Sequence, residues 1–250
     1  EGDRPVVQVV GLGPDGVDPF ALDTYSRLPR ILRSMCSGGA CRGATDDLFA
    51  DLTTVAERLE AGGTVAGTVR DGRGRGHRVA LSSPWDLIGT LSAGDLNPSV
   101  ITLLPGALAA AAAADGAPLA RLRPIADGTP LTASNLSLGL YTATSCEDFA
   151  MPYDPADPLD VRQARSQAAL AAIPPGAYAP FSARAVANSS YARACEQWPG
   201  TPGSRAPSHA PLPDVPTLIL GGGLDTRTPI ENAHQVAALL PRATVVEVPG

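Results

Sequence analysis

The most regular pattern of hydrophobic and polar positions lies near the end of the chain. Thr217–Leu220 are continuously apolar or β-branched, which is typical of a parallel strand covered on both faces. Gly221–Gly223 follow and predict a sharp exit from the strand at positive φ. A helix is expected next, with Thr228 as its N-cap, Pro229 as its first residue and Glu231 as its capping-box partner. Its apolar stripe recurs at helical spacing: Ala233, Val236, Ala237 and Leu240.

Asp225 falls between this strand and this helix. In open α/β sheets, ligands bind at the carboxyl ends of the strands, so an acid at this point has a functional location. The alternative is that its carboxylate only accepts hydrogen bonds from backbone amides of the turn. The local pattern favours neither interpretation over the other.

Four upstream segments also carry helix or strand patterns. They are a helix capped by Thr45 with Leu48, Leu52, Val55 and Leu59 on one face, a hairpin of Val65–Val69 and Arg78–Leu81, a packed helix over Val100–Ala114, and a helix from Asp157 and Pro158 toward Ile173. The apolar run Val100–Ala114 is too short to span a bilayer, so no membrane span is expected.

The chain is organised as core, insertion and core. Pro5–Val10 is a short strand candidate, and the loop that follows it reads as a plain turn rather than a nucleotide site. Pro199–Pro213 is rich in Pro, Gly and Ser, which predicts a linker that returns the chain to the strand at Thr217.

Charge argues against a nucleic-acid partner. The 250 residues carry a formal net charge of −6 and no Lys, whereas neutralising phosphates requires an excess of basic residues. Arg70, Arg73, Arg75, His77 and Arg78 form a local basic patch, but no aromatic residue is interleaved with them. A solvated loop accounts for that patch better than a binding surface does.

The four cysteines are Cys36, Cys41, Cys146 and Cys195. A zinc site would need two short Cys or His pairs, and only Cys36 and Cys41 are close in sequence. Small residues between them could close a tight ring and leave Cys146 to pair with Cys195, which is one of three possible connectivities. Four buried free thiols are the alternative. Disulfides would imply an oxidising compartment.

Several motifs together resemble the secreted tripeptidyl aminopeptidase-like α/β-hydrolases. They are Gly-Val-Asp-Pro19, the Cys36/Cys41 pair, the Cys146-Glu-Asp148 segment, Cys195-Glu-Gln-Trp-Pro199 and Asp225-Thr-Arg-Thr-Pro229. The resemblance implies a partial α/β-hydrolase fold with a large, mainly helical cap. Residues 1–18 and 215–250 would be core segments, and residues 19–214 the cap with its Pro-rich return linker. It also implies that Asp225 is the acid of a catalytic triad.

Two parts of the family's triad have no counterpart in the chain. No Gly-x-Ser-x-Gly elbow occurs in the 250 residues, so the nucleophile is expected before Glu1. Thr244–Val248 reads as the final strand, and the Gly-His step of the family would follow Gly250. His77, His209 and His234 do not occupy the family's base position. We therefore expect this chain to be inactive by itself.

Substrate recognition would come from the insertion. An enzyme that removes residues from an amino terminus must bind a free ammonium, and a partly buried carboxylate is its natural partner. Glu147 and Asp148 are the candidates, although both could simply cap local backbone. Trp198 and Phe181 are candidates for the pocket wall, although both residue types are more often found in cores.

The function implied is acyl-enzyme hydrolysis of peptide bonds near a free amino terminus by a secreted enzyme without a cofactor. One alternative is a carboxylesterase or lipid-directed hydrolase, because a fold and a triad do not fix the acyl substrate. The other is a non-catalytic binding or interaction domain. The expected substrate is a peptide or an ester, and no nucleic acid or metal is expected. Any export signal would lie outside the sequence, and the oligomeric state is left open.

Overall fold

The computed structural model describes residues 18–93, 98–127, 137–187, 190–199 and 214–249. The described residues form a mixed α/β structure. Its helices are α1 (Leu22–Met35), α2 (Leu48–Glu60), α3 (Pro84–Ala93), α4 (Pro98–Ala112), α5 (Ala117–Asp127), α6 (Leu138–Asp148), α7 (Leu159–Ala171), α8 (Ala183–Ala187), α9 (Tyr191–Ala194) and α10 (Ile230–Ala238). Its strands are β1 (Val65–Arg70), β2 (Gly76–Leu81), β3 (Thr217–Gly222) and β4 (Ala243–Val248). The strand predicted over Pro5–Val10 and the predicted linker beyond Pro199 lie outside the described residues.

The chain divides into two compact units. Unit 1 contains Glu1–Arg27, Ala133–Pro174 and Ala187–Gly250, and unit 2 contains Leu28–Thr132 and Pro175–Val186. Neither unit is one continuous stretch of sequence.

Unit 2 is built from helices packed around a hairpin. Strands β1 and β2 pair antiparallel, with Val65 opposite Leu81 and Arg70 opposite Gly76, as predicted. A Cβ added to Gly67 of β1 would lie 2.2 Å from the Cα of Ala117, so only glycine lets α5 pack this closely on the strand. The core of this unit includes Leu52, Leu81, Leu87, Leu108 and Leu119, all buried.

Helix α2 confirms the predicted apolar stripe but corrects its cap. Leu48, Leu52, Val55 and Leu59 are all buried. The N-cap is Asp47, whose carboxylate accepts hydrogen bonds from the amides of Phe49 and Ala50. Thr45 instead donates its hydroxyl hydrogen bond to Asp51. The prediction of Thr45 as the cap was wrong because the acid at position 47 is nearer to the first free amides and accepts from two of them.

The C-terminal part of unit 1 is a parallel βαβ unit. Strands β3 and β4 pair parallel, with Thr217 opposite Ala243 and Gly222 opposite Val248, and α10 connects them. The helix packs on one face of the strands through a buried cluster of Ile219, Ile230, Ala233, Val236 and Leu240. The strand and the helix predicted for this segment are confirmed.

Two details of this segment differ from the prediction. Helix α10 begins at Ile230 with Pro229 at the N-cap, so Thr228 lies outside the helix and is not its cap. None of Gly221–Gly223 has a positive φ. Gly221 and Gly222 lie inside β3, and a Cβ on Gly221 would lie 2.4 Å from Ile230 Cδ1. The glycine at 221 therefore makes room for the helix rather than for a left-handed turn.

In the part of the chain that the structure describes, the face of the βαβ unit opposite α10 is largely exposed, whereas β3 was expected to be covered on both faces. Leu218 and Leu220 are 57% and 63% exposed, and Val246 and Val248 of β4 are 43% and 53% exposed. Side chains alternate along a strand, so these four residues share one face of the two-stranded sheet. Parallel sheets normally bury both faces.

Candidate functional site

Asp225 lies three residues beyond the end of β3, in the turn before α10. Its Oδ1 accepts hydrogen bonds from the backbone N–H of Arg227 and of Thr228, both at 2.8 Å. Its Oδ2 accepts a hydrogen bond from the Thr228 hydroxyl at 2.7 Å. The side chain is only partly buried. Asp225 thus holds together the turn that carries it.

Asp225 therefore stabilises its own turn, which was the alternative interpretation of the sequence. Its carboxylate can still accept a further hydrogen bond. A carboxylate offers about four acceptor positions, and the turn uses two on Oδ1 and one on Oδ2. The remaining position belongs to Oδ2. A carboxylate fixed by backbone amides in this way is preorganised to accept one further N–H from a partner such as an imidazole.

The first turn of α1 borders the Asp225 turn. The Thr24 hydroxyl donates a 3.5 Å hydrogen bond to the carbonyl of Arg227. The start of α1 is fixed by Asp18, whose carboxylate accepts from the amides of Phe20, Leu22 and Asp23. Acids at a helix N-terminus satisfy amides that have no partner within the helix. Asp18 of the Gly-Val-Asp-Pro19 motif therefore stabilises the start of α1.

Helix α9 contacts the residues that precede α1. The amide of Ala192 donates to the carbonyl of Pro19 at 3.1 Å, and the buried Tyr153 hydroxyl donates to the carbonyl of Ala192 at 3.0 Å. Burial raises the pKa of Tyr153 to about 12, the Glu196 carboxylate adds to the rise, and the Arg162 guanidinium opposes it. Tyr153 therefore stays a neutral hydrogen-bond donor at any physiological pH.

Both predicted cysteine pairs are joined in the structure. Cys36 is bonded to Cys41, with 4.8 Å between the Cα atoms, and Cys146 to Cys195, with 5.4 Å. The second bond links the end of α6 to the residue after α9. It places Glu147 and Glu196, the residues that follow the two half-cystines, on adjoining segments.

Glu147, next to Cys146, contacts Trp198 of the Cys195-Glu-Gln-Trp-Pro199 motif. Its Oε1 accepts a 3.0 Å hydrogen bond from the indole N–H of Trp198. Arg162 of α7 donates a 2.7 Å hydrogen bond to the carbonyl of Trp198 and so fixes that segment. Asp148 is the last residue of α6, and its side chain lies outside the described residues. Phe181 is a buried core residue of unit 2.

Glu196 is a buried acid that the sequence reasoning did not single out. The residue is 4% exposed, and its Oε1 lies 3.6 Å from Nε of Arg193. The Arg193 guanidinium already faces this carboxylate. Glu196 therefore fits a structural ion pair better than an ammonium site. The repeated Cys-Glu step, at 146–147 and 195–196, is the sequence signal that could have found it.

The described histidines do not contact Asp225. His234 is exposed on α10, and Nε2 of His77 lies 3.1 Å from Oδ2 of Asp71 in the β1–β2 loop. His209 lies outside the described residues. Among the described residues, no three His, Cys, Asp or Glu side chains are grouped so that they could hold a metal ion. The helices that the structure describes include none long and apolar enough to cross a membrane.

Comparison with known proteins identifies part of the chain. Residues 179–250 match the family model of the TAP-like proteins, an α/β-hydrolase family. The match covers Cys195, Trp198, the βαβ unit and Asp225, and it excludes Glu147, Asp148 and the Cys36–Cys41 pair. Neither a search of curated proteins nor one of solved structures found a match.

Proposed function

We propose, from the match of residues 179–250 to the model of the TAP-like α/β-hydrolases, that this chain is part of a secreted serine hydrolase. The enzyme would cleave peptide bonds near a free amino terminus through an acyl-enzyme. In this proposal, residues 1–18 and 215–250 are core segments, and residues 19–214 form the cap.

The geometry of Asp225 is the observation that carries the proposal. The acid lies at the carboxyl end of a parallel strand and is held by two amides and a hydroxyl of its own turn. In a triad, such an acid would orient the imidazole of the base and stabilise the imidazolium that forms as the serine attacks the acyl carbonyl. Asp225 would itself stay ionised throughout.

Glu147 is the proposed anchor for the substrate ammonium, with Asp148 beside it. The indole of Trp198 fixes one oxygen of the Glu147 carboxylate and leaves its negative charge in place. A fixed carboxylate pairs with an ammonium at a smaller entropic cost than a mobile one does. The two disulfides fit a secreted protein, because such bonds persist in oxidising compartments.

A non-catalytic binding domain is the second candidate. Two observations favour it: the 250 residues contain no Gly-x-Ser-x-Gly elbow, and every hydrogen bond described at Asp225 comes from its own turn. An esterase is the third reading, because the family match supports a hydrolase without fixing the acyl group.

The experiment uses two chains: the 250 residues alone, and a longer chain that supplies the serine elbow before residue 1 and the Gly-His step after residue 250. We expect the longer chain to hydrolyse peptidyl p-nitroanilides that have a free amino terminus. Acetylated peptidyl substrates and p-nitrophenyl esters serve as comparisons. The 250-residue chain should show no turnover, and a fluorophosphonate probe should label none of its serines.

Glu147→Gln in the longer chain separates the peptidase reading from the esterase reading. It should raise KM for the free peptide at least tenfold and leave hydrolysis of acetylated peptides and esters unchanged. Equal hydrolysis of free and acetylated peptides would remove the aminopeptidase proposal, and preference for the ester would favour the esterase. A longer chain without any turnover would favour the binding domain.

A further inference from the structure

Unit 1 carries a group of two exposed and two half-buried large side chains on and around α6 and α9. Leu138 is 62% exposed and Tyr141 is 42% exposed, and they lie one turn apart on α6, on one side of the helix. Phe149 follows the end of α6, and Tyr191 begins α9. We call Leu138, Tyr141, Phe149 and Tyr191 the aromatic patch. Contiguous apolar patches on a surface are one of the features that mark binding sites.

The contacts among its rings make the patch a built structure. The hydroxyl groups of Tyr141 and Tyr191 are hydrogen-bonded to each other. Their ring centroids are 6.4 Å apart, and the Phe149 ring meets the Tyr191 ring edge-on at 4.8 Å. Edge-on aromatic pairs at these distances are favourable. The Cys146–Cys195 bond ties together the two helices that carry the patch.

Two hydrogen bonds place the patch next to the Asp225 turn. The Ala192 amide, one residue after Tyr191, donates to Pro19, and Thr24 donates to the carbonyl of Arg227. Residues 19–24 therefore contact both α9 and the turn of Asp225. The pKa of Tyr191 reports the same proximity. Burial raises it, the hydrogen bond with Tyr141 adds to the rise, and the charge of Arg227 opposes it.

We propose that the aromatic patch binds a large apolar or aromatic side chain of the substrate, near the Asp225 turn. That the ligand is a substrate rests on the proposed function. The class of side chain that binds rests on the aromatic patch itself. Ligand sites combine apolar walls with a few placed polar groups, and here the Tyr141–Tyr191 hydroxyl pair supplies the polar groups.

Direct binding tests the patch without any catalysis. The probe is N-acetyl-L-phenylalanine amide, titrated into the isotopically labelled 250-residue chain and followed by NMR. N-acetyl-L-alanine amide and N-acetyl-L-aspartate amide differ from it only in the side chain. We expect saturable shifts at the amides of residues 138–149 and 191, with the phenylalanine probe binding at least tenfold more tightly than either comparison.

Tyr141→Ala should weaken binding of the phenylalanine probe at least tenfold. The matched control is Leu103→Ala, which truncates a leucine of α4 that is 51% exposed. Tyr191→Phe keeps the ring and removes the hydroxyl pair, so it shows whether the apolar wall alone suffices. Unchanged far-UV circular dichroism establishes that each variant is folded. Equal binding by the Tyr141→Ala and Leu103→Ala variants, or shifts confined to other residues, would overturn the inference.

Failure here and failure of the proposed function give different results. If the longer chain hydrolyses peptides but Tyr141→Ala leaves its preference between phenylalanine and alanine unchanged, the patch proposal is wrong and the hydrolase stands. If the phenylalanine probe binds the patch but the longer chain turns over nothing, the hydrolase proposal is wrong and the patch stands as a binding surface.

Discussion

At the scale of single residues, Asp225 combines a structural role with a proposed chemical one. Its position between a strand and a helix could be predicted, because the apolar run, the glycines and the helix stripe are all local signals. Its bonds to Arg227 and Thr228 could not, since an Asx turn has several forms that depend on where the helix begins. The two roles respond differently to substitution.

Asp225→Ala in the 250-residue chain should lower the free energy of unfolding by about 1–2 kcal/mol, because three hydrogen bonds are lost. Asp225→Asn should cost less than about 1 kcal/mol, since an amide oxygen can keep the two backbone bonds. Urea unfolding measures both. Equal losses for the two variants would show that the turn needs the charge itself.

Asp86 gives a pH-dependent test of unit 2. It forms a capping box with Ser83, accepts from the Ser82 amide, and lies 2.8 Å from Arg123 Nη1. Desolvation raises the pKa of its carboxyl, but the Ser82 amide and Arg123 outweigh it, so the pKa lies below the ordinary value of 3.8. A depressed pKa in the folded state contributes stability above the unfolded value, and that stability is lost as the pH falls through the folded value.

Asp86→Asn should therefore cost about 1 kcal/mol at pH 7, near the upper end for a partly exposed pair. The cost should shrink steadily as the pH falls below 3.8. Thermal or urea unfolding of both chains between pH 7 and pH 2.5 measures the difference. A difference that stays constant over this range would show that the charge of Asp86 contributes nothing. The sequence Ser83-Pro-Trp-Asp86 carries this capping signal, which the sequence reasoning overlooked.

At the scale of elements, the four described strands and the helices α2, α4, α7 and α10 followed from the sequence. The other six described helices, the cap residues and the covered faces did not. The stripe of α2 and the β1–β2 hairpin depend on local periodicity, which the chain itself encodes. Whether Leu218 and Leu220 meet a partner depends on what packs against the sheet. A continuous apolar run shows only that a strand tolerates burial on both faces.

The two disulfides differ in the length of chain that they close, which gives a matched pair of tests. The bond between Cys146 and Cys195 spans 49 residues, and the bond between Cys36 and Cys41 spans 5. Loop-closure entropy predicts contributions of about 4 and about 2 kcal/mol. Removing each pair by Cys→Ala should therefore cost more for the long bond. Non-reducing peptide mapping checks the pairing, and a peptide joining Cys36 to Cys146 or Cys195 would contradict it.

At the scale of the whole molecule, the order of the motifs is visible in the sequence, but the division of the chain into two compact units could not be predicted from it. The motifs predict a contiguous cap from 19 to 214, whereas the two compact units each combine separate stretches of sequence. Contacts such as Ala192 with Pro19 join residues far apart in the chain, and no local pattern encodes them. The cap boundaries at 19 and 214 stay a prediction.

The family match over residues 179–250 and the geometry of Asp225 support the proposal that this residue is the acid of a catalytic triad. The most direct test is kcat of Asp225→Asn in the longer chain that supplies the serine and the histidine. Asparagine keeps the turn but favours the wrong imidazole tautomer and no longer compensates the imidazolium, an effect of about 10⁴ in serine proteases. We expect kcat to fall by several orders of magnitude while the melting temperature changes little. A kcat within about tenfold of the parent, a loss far below that 10⁴-fold effect, would remove Asp225 from the triad and leave it as a residue that only holds its turn.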